Sequence, residues 1–599
     1  MIPILNQIQE ELKKSFVEFL SNSQNDIYIN SINNESLITA TNNVNFGDFQ
    51  SNYCLILGKL IKQQPREVAK EIEKLLLTNN KLKNTCTINI AGPGFINFTI
   101  KKEVIIKRLI MNIKDKKAGI SSLGIDNKGT ILIDFSSPNI AKQMHVGHLR
   151  STIIGDTIAK ILEFRGYKVL RINHIGDWGT QFGMLIAHLK DEMSDSYLET
   201  SQINIEDLVA FYRCAKKRFD DNLNFKKKAR EEVVKLQNKN PLSIKAWKIL
   251  CEKSREEFHQ IYNRLGIKIK ERGESFYNDM LSEIVNELEE KKMAVLDKGA
   301  KCIFINQGAN PDNNSTTPVI IQKSDGGYNY ATTDLAAIKY RFSKKPNGDN
   351  ASKIIYVTDS GQASHFKGVF KIAELAEWIP PNGQLIHVPF GLVHGTDGKK
   401  FKTRSGSTIK LKDLLDEAVS RAKKDLKKRL DEDNKHETDE FIQKTASIIG
   451  HGSVKYADLS QNRQSNYQFD FDKMLALNGN TAPYLLYALV RISGINRKGG
   501  KLNKIPNDLI FDSQIEWDLI KKLIRFDEII IKIEKDLLPN RLCTYLFELC
   551  QMFNRFYDQS PILSAPNHIK DSRLAICLLT ENILKIGLDL LGIEYLERM

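Results

Sequence analysis

Long hydrophobic runs are missing from the 599-residue sequence. A helix that crosses a bilayer needs about 20 consecutive apolar residues, and charged residues interrupt the apolar positions near the start of the chain (Glu10, Glu11, Lys13 and Lys14). The sequence therefore predicts neither a signal peptide nor a membrane anchor. We expect a cytoplasmic protein without a membrane partner.

Cysteine is scarce and irregularly spaced. The eight cysteines form no CxxC pair, whereas structural zinc sites and disulfide frameworks depend on closely or regularly spaced cysteines. The sequence predicts free thiols in a reducing compartment and no structural metal.

Acidic residues are outnumbered by basic ones. The 73 Asp and Glu residues stand against 87 Lys and Arg, which gives a net charge of +14. This balance suits a polyanionic partner such as nucleic acid. The alternative is an AT-biased genome that enriches lysine on solvated surfaces without any binding role.

The length and the apolar pattern predict several domains, since one domain holds roughly 100–200 residues. Residues 1–117 combine helical spacing with a strand-like segment, 85–100, that turns at Gly92–Gly94, which predicts a small α+β domain. Residues 466–599 carry apolar residues at helical spacing with few turn residues, which predicts an all-α bundle.

Residues 118–465 have α/β character. The strand-like segments 131–135 and 167–172 flank the helix-like segment 149–164. This order is typical of the right-handed crossover between neighbouring strands of a parallel sheet.

The same sheet is predicted to continue further along the chain. Residues 182–300 read as charged amphipathic helices inserted between its two halves. The later strands are predicted at 301–305, 317–321 and 353–358.

The segment 136–152 joins the first predicted strand to its helix and holds His145, Gly147 and His148. A helix N-terminus at the carboxyl end of a strand offers open N–H groups to phosphate. Two imidazoles there can donate to triphosphate oxygens, and Gly147 leaves room for a nucleotide. The pattern indicates nucleotidyl transfer; the alternative is one capping and one packing histidine.

Two further segments carry phosphate-binding character. The glycine-rich turn 174–183 follows the second strand, and a basic, glycine-rich segment covers 391–418. A mobile loop that closes over phosphates has the second composition, although a plain basic β-turn would look similar. In the first segment the predicted ATP-binding residues are Asp177, Gly179, Thr180 and Gln181, with a helix cap at Asp177 as the alternative.

These residues resemble those of the class I aminoacyl-tRNA synthetases, and specifically the arginyl-tRNA synthetases. The resemblance covers essentially the whole chain. In chain order, the motifs are SSPNIAK before HVGH, GDWGTQ, YNYATTDLA, DSGQASHF, KYADLSQNR, GNTAPYLLYALVRI and the terminal LERM.

The resemblance implies a fold and an activity. The fold is α/β: a Rossmann-like parallel-sheet catalytic domain between an α+β N-terminal domain that contacts tRNA and an all-α bundle that binds the anticodon. The activity is ATP-dependent attachment of L-arginine to tRNA(Arg) through arginyl-adenylate, with Mg²⁺ entering as part of the ATP substrate. We expect a monomer.

The resemblance also implies the ATP site. His145, Gly147 and His148 would bind ATP, and the FKTRSG segment, which lacks the second lysine of the class I KMSKS loop, would take that loop's place. Lys142 is implied to replace the missing lysine. The remaining implied contacts are Gly391, Leu392 and Val393 to adenine, and Phe401, Lys402, Thr403, Arg404 and Ser405 to phosphates.

An arginine pocket has a definable chemistry. A guanidinium is planar, permanently charged and rich in paired donors, so its pocket needs carboxylates, neutral acceptors and an aromatic wall. For Glu274 the alternative is a helix-capping surface acid, and for Asp334 it is an N-cap. By resemblance the candidates are Asn139, Asp134, Glu274, Tyr330, Asp334 and Gln362.

The predicted C-terminal bundle holds a candidate RNA surface. Tyr484, Tyr487 and Arg491 share one helix face by their spacing, and aromatic rings with a guanidinium can stack splayed bases. The alternative is that the tyrosines are core residues. The resemblance adds Met599 as a contributor to anticodon binding.

Two other functions stay open on the sequence. The first is a synthetase for another amino acid on the same sheet. The second is a non-catalytic RNA-binding paralogue that kept the fold, against which the intact HVGH and GDWGTQ motifs speak.

Overall fold

The structure is a computed structural model of the full chain. It describes residues 2–32, 37–41, 43–122, 129–192, 208–306, 316–395, 409–500, 502, 504–506 and 508–599.

The N-terminal region folds into an α+β unit, as predicted. Its four antiparallel strands lie in the order β1 (Thr39–Ala40), β2 (Phe49–Ser51), β4 (Phe95–Ile100) and β3 (Cys86–Ala91), and the hairpin between β3 and β4 turns at Gly92 and Gly94. Gly94 has a φ of +140°, and a Cβ there would lie 2.7 Å from the Pro65 carbonyl oxygen, so this turn requires glycine. The elements are α1 Ile4–Asn22, β1 Thr39–Ala40, β2 Phe49–Ser51, α2 Tyr53–Ile61, α3 Pro65–Thr78, α4 Asn80–Thr85, β3 Cys86–Ala91, β4 Phe95–Ile100 and α5 Lys102–Lys114.

A five-stranded parallel sheet forms the centre of the molecule, as the sequence predicts. Its strands are β5 Thr130–Asp134, β6 Val169–Asn173, β7 Lys270–Glu271, β11 Ala351–Asp359 and β12 Gln384–Phe390. The order is β12-β11-β5-β6-β7, so the chain leaves β5 on one side and later returns on the other. Ligands of such sheets bind where the order reverses, at the carboxyl ends of the strands. Here that point lies between β5 and β11.

The prediction that 301–305 and 317–321 extend this sheet is wrong. Both segments are strands, but they form a separate antiparallel sheet of order β10-β9-β8, made of β8 Val295–Asp297, β9 Ala300–Asn306 and β10 Thr316–Gln322. Only residues 307–315 separate β9 from β10, and a parallel crossover needs a dozen residues or more. The short connection therefore favours an antiparallel pair.

Helices surround the central sheet, and the predicted insertion is largely helical. The insertion also supplies β7, the edge strand of the main sheet, which the sequence reading missed. The helices of this region are α6 Val146–Phe164, α7 Thr180–Glu192, α8 Leu208–Asp221, α9 Leu223–Gln237, α10 Pro241–Arg264, α11 Leu281–Glu290, α12 Tyr330–Phe342 and α13 Ala363–Leu375.

The C-terminal region is helical, as predicted. A short parallel pair, β13 Val393–His394 with β14 Tyr467–Gln468, ties its first residues to the end of the catalytic region. Two helices, α14 Leu411–Glu432 and α15 Asp439–Leu459, precede this region. Its own helices are α16 Phe471–Met474, α17 Ala482–Arg497, α18 Gln514–Leu523, α19 Phe526–Asp536, α20 Asn540–Gln559 and α21 Asn567–Leu590.

Ion pairs join the N-terminal unit to the C-terminal helices. Lys521 Nζ lies 2.6 Å from Asp48, and Arg108 Nη2 lies 2.5 Å from Asp527, where both side chains are buried. Breaking a buried pair leaves an uncompensated charge, so these contacts hold the two regions in one arrangement. Among the helices that the structure describes, none has the length and apolar character that a bilayer crossing requires.

Candidate active site

The two histidines of the HVGH motif hold each other in place. The Gly147 N–H donates to His145 Nδ1 at 3.1 Å, and the His145 N–H donates to His148 Nδ1 at 3.1 Å. The ring centroids are 4.0 Å apart. Because each Nδ1 accepts a backbone N–H, each neutral imidazole carries its proton on Nε2. The fold therefore fixes both tautomers as Nε2–H donors.

Both imidazoles are neutral at physiological pH. Burial, and after it the neighbouring His145 and Lys142, lower the pKa of His148 to about 3. The pKa of His145 is also lowered, by burial first and by Lys142 second. The fixed positive charge at this site therefore comes from Lys142, which is exposed and lies 5.9 Å from the ring centre of Tyr212.

The expected role of the helix N-terminus needs correction. The N–H groups of His145 and Gly147 are not open to phosphate, because the two imidazoles accept them. A Cβ at Gly147 would lie 2.9 Å from His145 Cε1, so this glycine lets the His145 ring fold back onto the helix. The side-chain donors that remain for phosphate are the imidazole N–H groups and the ammonium of Lys142.

The GDWGTQ turn holds a neighbouring segment of the site in place. Asp177 is buried, and its carboxylate accepts the backbone N–H and the hydroxyl of Ser275 at 2.8 and 2.6 Å. Burial raises the pKa of this carboxyl. Asp177 thus fixes the segment that carries Glu274 rather than facing an open site.

The other residues of this turn begin a helix. Gly179 has a φ of +103°, which favours glycine, and α7 starts at the next residue, Thr180. Gln181 is half-buried in the first turn, and the side chain of Thr180 lies outside the described residues. Their contacts with ATP stay predictions.

In the predicted adenine-binding segment, residues 391–393, backbone groups form hydrogen bonds with other parts of the protein. The Gly391 carbonyl accepts Arg150 Nη1 at 2.5 Å, and the Leu392 N–H donates to Asn466 at 2.6 Å. A Cβ at Gly391 would lie 2.6 Å from the Ser465 backbone, so glycine permits this close approach. Val393 is buried in β13. The side chain of Leu392, 39% exposed, is the surface left for a base.

Several predictions fall outside the described residues. The phosphate loop cannot be placed, and its roles stay predictions. Its predicted members are Phe401, Lys402, Thr403, Arg404 and Ser405.

A cavity of about 460 Å³ lies at the carboxyl ends of β5, β6 and β11, where the sheet order reverses. The structure brings all six nominated arginine-pocket residues to its wall, and their contact with arginine stays a prediction. Sequence reasoning missed His174, Tyr356 and His365, which also line it. The nominated residues are Asp134, Asn139, Glu274, Tyr330, Asp334 and Gln362.

Two acids that line the cavity, Glu274 and Asp334, form no ion pair with an arginine or lysine among the described residues. Burial, and after it the charges of Asp334 and Asp177, raise the pKa of Glu274 to about 8. Asp334 Oδ2 lies 2.6 Å from His365 Nε2. A cation that enters would favour the ionised form of Glu274, so the cavity is suited to a positively charged side chain.

Asp134 differs from these two acids. Its Oδ2 lies 2.7 Å from Arg341 Nη2, and both side chains are buried. The Arg341 guanidinium also lies 5.2 Å from the Tyr356 ring centre and 3.3 Å from His174 Nδ1. Asp134 is therefore already compensated by the protein's own arginine and is not available as the counter-ion of a substrate. No pattern in the sequence distinguishes Arg341 from other basic helix residues.

The helical region presents an aromatic patch made of Tyr487, Arg491 and Tyr557. The Arg491 guanidinium lies 4.8 Å from the Tyr487 ring centre and 5.3 Å from that of Tyr557. Tyr487 is 41% exposed and Tyr557 is 39% exposed. Sequence reasoning missed Tyr557 because it lies on another helix, α20.

The remaining predicted tRNA contacts are less accessible. Tyr484 is half-buried against Phe547, and its hydroxyl accepts Asn554 Nδ2 at 3.0 Å. It matches the alternative of a packing tyrosine. Met599 is half-buried and packs against the core.

Within the residues that the structure describes, no three His, Cys, Asp or Glu side chains gather as a metal site would require. The absence of a structural metal stays a prediction.

Family profiles match most of the chain. Residues 4–100 match the arginyl tRNA synthetase N terminal domain, residues 110–471 the catalytic domain of class I (R) tRNA synthetases, and residues 485–599 the DALR anticodon binding domain. The catalytic match contains both the imidazole pair and the cavity.

Whole proteins agree with these profiles. The chain is 56% identical over 616 residues to the arginine–tRNA ligase of Prochlorococcus marinus strain MIT 9312, with 100% of both chains covered, and 55% identical over 563 residues to that of Synechococcus sp. strain CC9311, covering 94% of this chain and 95% of the relative. The crystal structure of Plasmodium falciparum arginyl-tRNA synthetase is similar over 100% of both chains, at 32% identity and a TM-score of 0.83. The Thermus thermophilus enzyme, 20% identical with both chains covered fully and a TM-score of 0.79, shares the fold. The chain therefore belongs to the arginyl-tRNA synthetases of class I.

Proposed function

We propose that this protein attaches L-arginine to tRNA(Arg) in two steps, through arginyl-adenylate, with release of pyrophosphate and AMP. One observation carries the proposal: the loop after β5 contributes both to a cavity lined by acids and to a pair of fixed imidazole donors. The loop after β5 supplies Asn139 to the cavity and His145 to the imidazole pair. A cationic side chain and a nucleotide can thus be held on the same loop.

In the first step, the arginine guanidinium lies between Glu274 and Asp334, and its α-carboxylate faces Asn139. A carboxylate oxygen attacks the α-phosphorus of Mg·ATP, a new P–O bond forms, and the bond to pyrophosphate breaks. No side chain needs to act as a nucleophile. The Nε2–H groups of His145 and His148 and the ammonium of Lys142 stabilise the charge that grows on the phosphate. Lys402 is proposed to add a second ammonium from its loop.

In the second step, a terminal ribose hydroxyl of the tRNA attacks the arginyl carbonyl. The ester bond forms, the mixed anhydride breaks, and the hydroxyl proton leaves on the AMP phosphate. The net charge of +14 attracts the tRNA independently of its sequence. The aromatic patch is proposed to stack anticodon bases, and Met599 to lie beside them. We also propose that the protein acts as a cytoplasmic monomer.

The test is aminoacylation of total tRNA with a panel of labelled amino acids. We expect arginine alone to be attached, because lysine and neutral side chains cannot match the guanidinium sites. We also expect Asp334→Ala to abolish the attachment, because it removes a carboxylate from the proposed arginine pocket. Preference for a neutral amino acid would reject the arginine pocket. No attachment of any amino acid would favour the non-catalytic paralogue.

Removal of the ring at the aromatic patch should weaken tRNA use. For Tyr487→Ala we expect the KM for tRNA to rise about 10-fold, since a base–aromatic stack is worth roughly 1–3 kcal/mol. The KM values for arginine and ATP should not change. Steady-state aminoacylation measures all three.

The matched control is Tyr487→Phe, which keeps the ring and removes only the hydroxyl. It should behave like the wild type, because stacking uses the ring face. A Tyr487→Ala protein with an unchanged KM for tRNA would remove this surface from the proposal.

A further inference from the structure

His365 occupies a defined place at the wall of the acidic cavity. It lies in the first turn of α13, and its Nε2 is 2.6 Å from Asp334 Oδ2 on α12. Each of the two side chains is 18% exposed, so water competes little for this contact. His365 lies in the DSGQASHF motif, of which only Gln362 was predicted to bind arginine.

Aromatic neighbours restrict the orientation of the His365 ring. Its centroid is 4.9 Å from that of Tyr330 at an interplanar angle of 63°, and 5.2 Å from that of Phe366 at 68°. Edge-on contacts on two sides limit rotation of the imidazole. The direction in which Nε2–H points at Asp334 is therefore set by packing.

The contact with His365 makes the two carboxylate oxygens of Asp334 different. Oδ2 is held by the imidazole, and among the hydrogen bonds of the described residues none uses Oδ1. A guanidinium presents its N–H donors as a fork that matches two acceptor oxygens. Oδ2 keeps one acceptor site beside its contact with His365 and Oδ1 keeps both, so the imidazole fixes the orientation in which the carboxylate meets a guanidinium.

Glu274 supplies a second carboxyl group to the cavity. It lines the same cavity, where burial and the charges of Asp334 and Asp177 act on its carboxyl group. Its backbone N–H donates to the Ile175 carbonyl at 3.0 Å, which anchors the segment after β7 against the end of β6. The two carboxyl groups thus approach the cavity from different elements.

We infer that His365 is a positioning residue that holds one oxygen of Asp334 and so fixes the orientation in which this carboxylate meets the substrate guanidinium beside Glu274. This inference rests on the proposed function. It predicts that removal of the imidazole weakens arginine binding. If the orientation of the carboxylate did not depend on His365, removal of the imidazole would leave arginine binding unchanged or improve it.

The experiment compares three His365 variants of the full-length enzyme in steady-state aminoacylation. For His365→Leu we expect the KM for arginine to rise about 10-fold or more, the size of a lost hydrogen bond to a charged group, with the KM for ATP unchanged. His365→Gln can place an amide N–H near the position of Nε2, and we expect it to stay within about 3-fold of the wild type. His365→Asn, which is too short to reach Asp334, should behave like His365→Leu and serves if that variant does not fold.

A double variant tests whether His365 acts through Asp334. Asp334→Asn and Asp334→Asn/His365→Leu should have the same KM for arginine, since the second change has no carboxylate left to position. Wild-type or lower KM values in both His365→Leu and His365→Asn would overturn the inference and leave the proposed pocket standing. Unchanged KM values for arginine in Asp334→Asn and Glu274→Gln would overturn the proposed pocket itself.

Discussion

Replacement of His148 by alanine is expected to lower the rate of arginyl-adenylate formation by about 10²-fold or more, the effect of removing one transition-state donor. His148 Nδ1 is committed to the backbone N–H of His145, so its contribution to phosphate is the proton on Nε2. The rate is measured by single-turnover adenylate formation with arginine, ATP and tRNA present.

Asparagine separates the two roles of His148. The Asn side-chain oxygen can accept the His145 N–H in place of Nδ1, but its amide does not extend to the position of Nε2. We therefore expect His148→Asn to fold like the wild type and to lose about as much rate as His148→Ala. A His148→Asn enzyme with the wild-type rate would show that His148 serves the helix cap alone.

The lowered pKa of His148 also predicts how stability depends on pH. The folded protein keeps His148 neutral down to about pH 3, whereas an unfolded chain binds a proton near pH 6.5. The unfolded state therefore binds more protons between these values, and the free energy of unfolding falls as the pH drops from 6.5 towards 3. Over the same range His148 stays a neutral donor, so it adds no ionisation step to the pH profile of adenylate formation above pH 5.

The central sheet could be predicted because its pattern is local. The segments that became β5, α6 and β6 follow each other directly, and handedness leaves one way to connect them. The partners of β9 and β10 could not be predicted in this way, since a strand's composition does not state which sheet it joins. The short connection between β9 and β10 was the feature that favoured an antiparallel pair.

The lining residues of the cavity could be predicted where they belong to recognisable sequence motifs. Ion pairs between residues that are distant in sequence could not be predicted. Glu274, Asp334 and Tyr330 all reach its wall. The pair of Asp134 with Arg341 joins positions 207 residues apart (341 minus 134), and nothing in either segment indicates the other. An acid that aligns with a binding position can therefore already hold a partner within the protein.

Glu274→Gln is expected to raise the KM for arginine about 10²-fold at pH 8, because the loss of one partner of a desolvated charge pair costs about 2–5 kcal/mol.

The KM of the wild-type enzyme for arginine should also depend on pH. In the empty cavity the pKa of Glu274 is about 8, so below that pH arginine must displace a proton to gain its carboxylate partner. The KM for arginine should then rise by up to about tenfold per pH unit as the pH falls below 8, and Glu274→Gln should remove this dependence. Glu290→Gln, which changes an exposed acid at the end of α11, is the matched control and should keep the wild-type profile.

Glu274 should make the enzyme without bound arginine less stable at high pH. This stability provides an independent test of the raised pKa of Glu274. An unfolded chain releases the Glu274 proton near pH 4.5, but the folded protein retains it up to about pH 8. The folded state binds more protons in that window, so the contribution of Glu274 to the free energy of unfolding falls as the pH rises through it. Without arginine, Glu274→Gln should therefore have a higher Tm than the wild type at pH 8, and a smaller difference at pH 5. Arginine should raise the Tm of the wild type but not that of the variant, since only the wild type offers it the second carboxylate. An equal arginine-induced shift in both proteins would place the guanidinium away from Glu274.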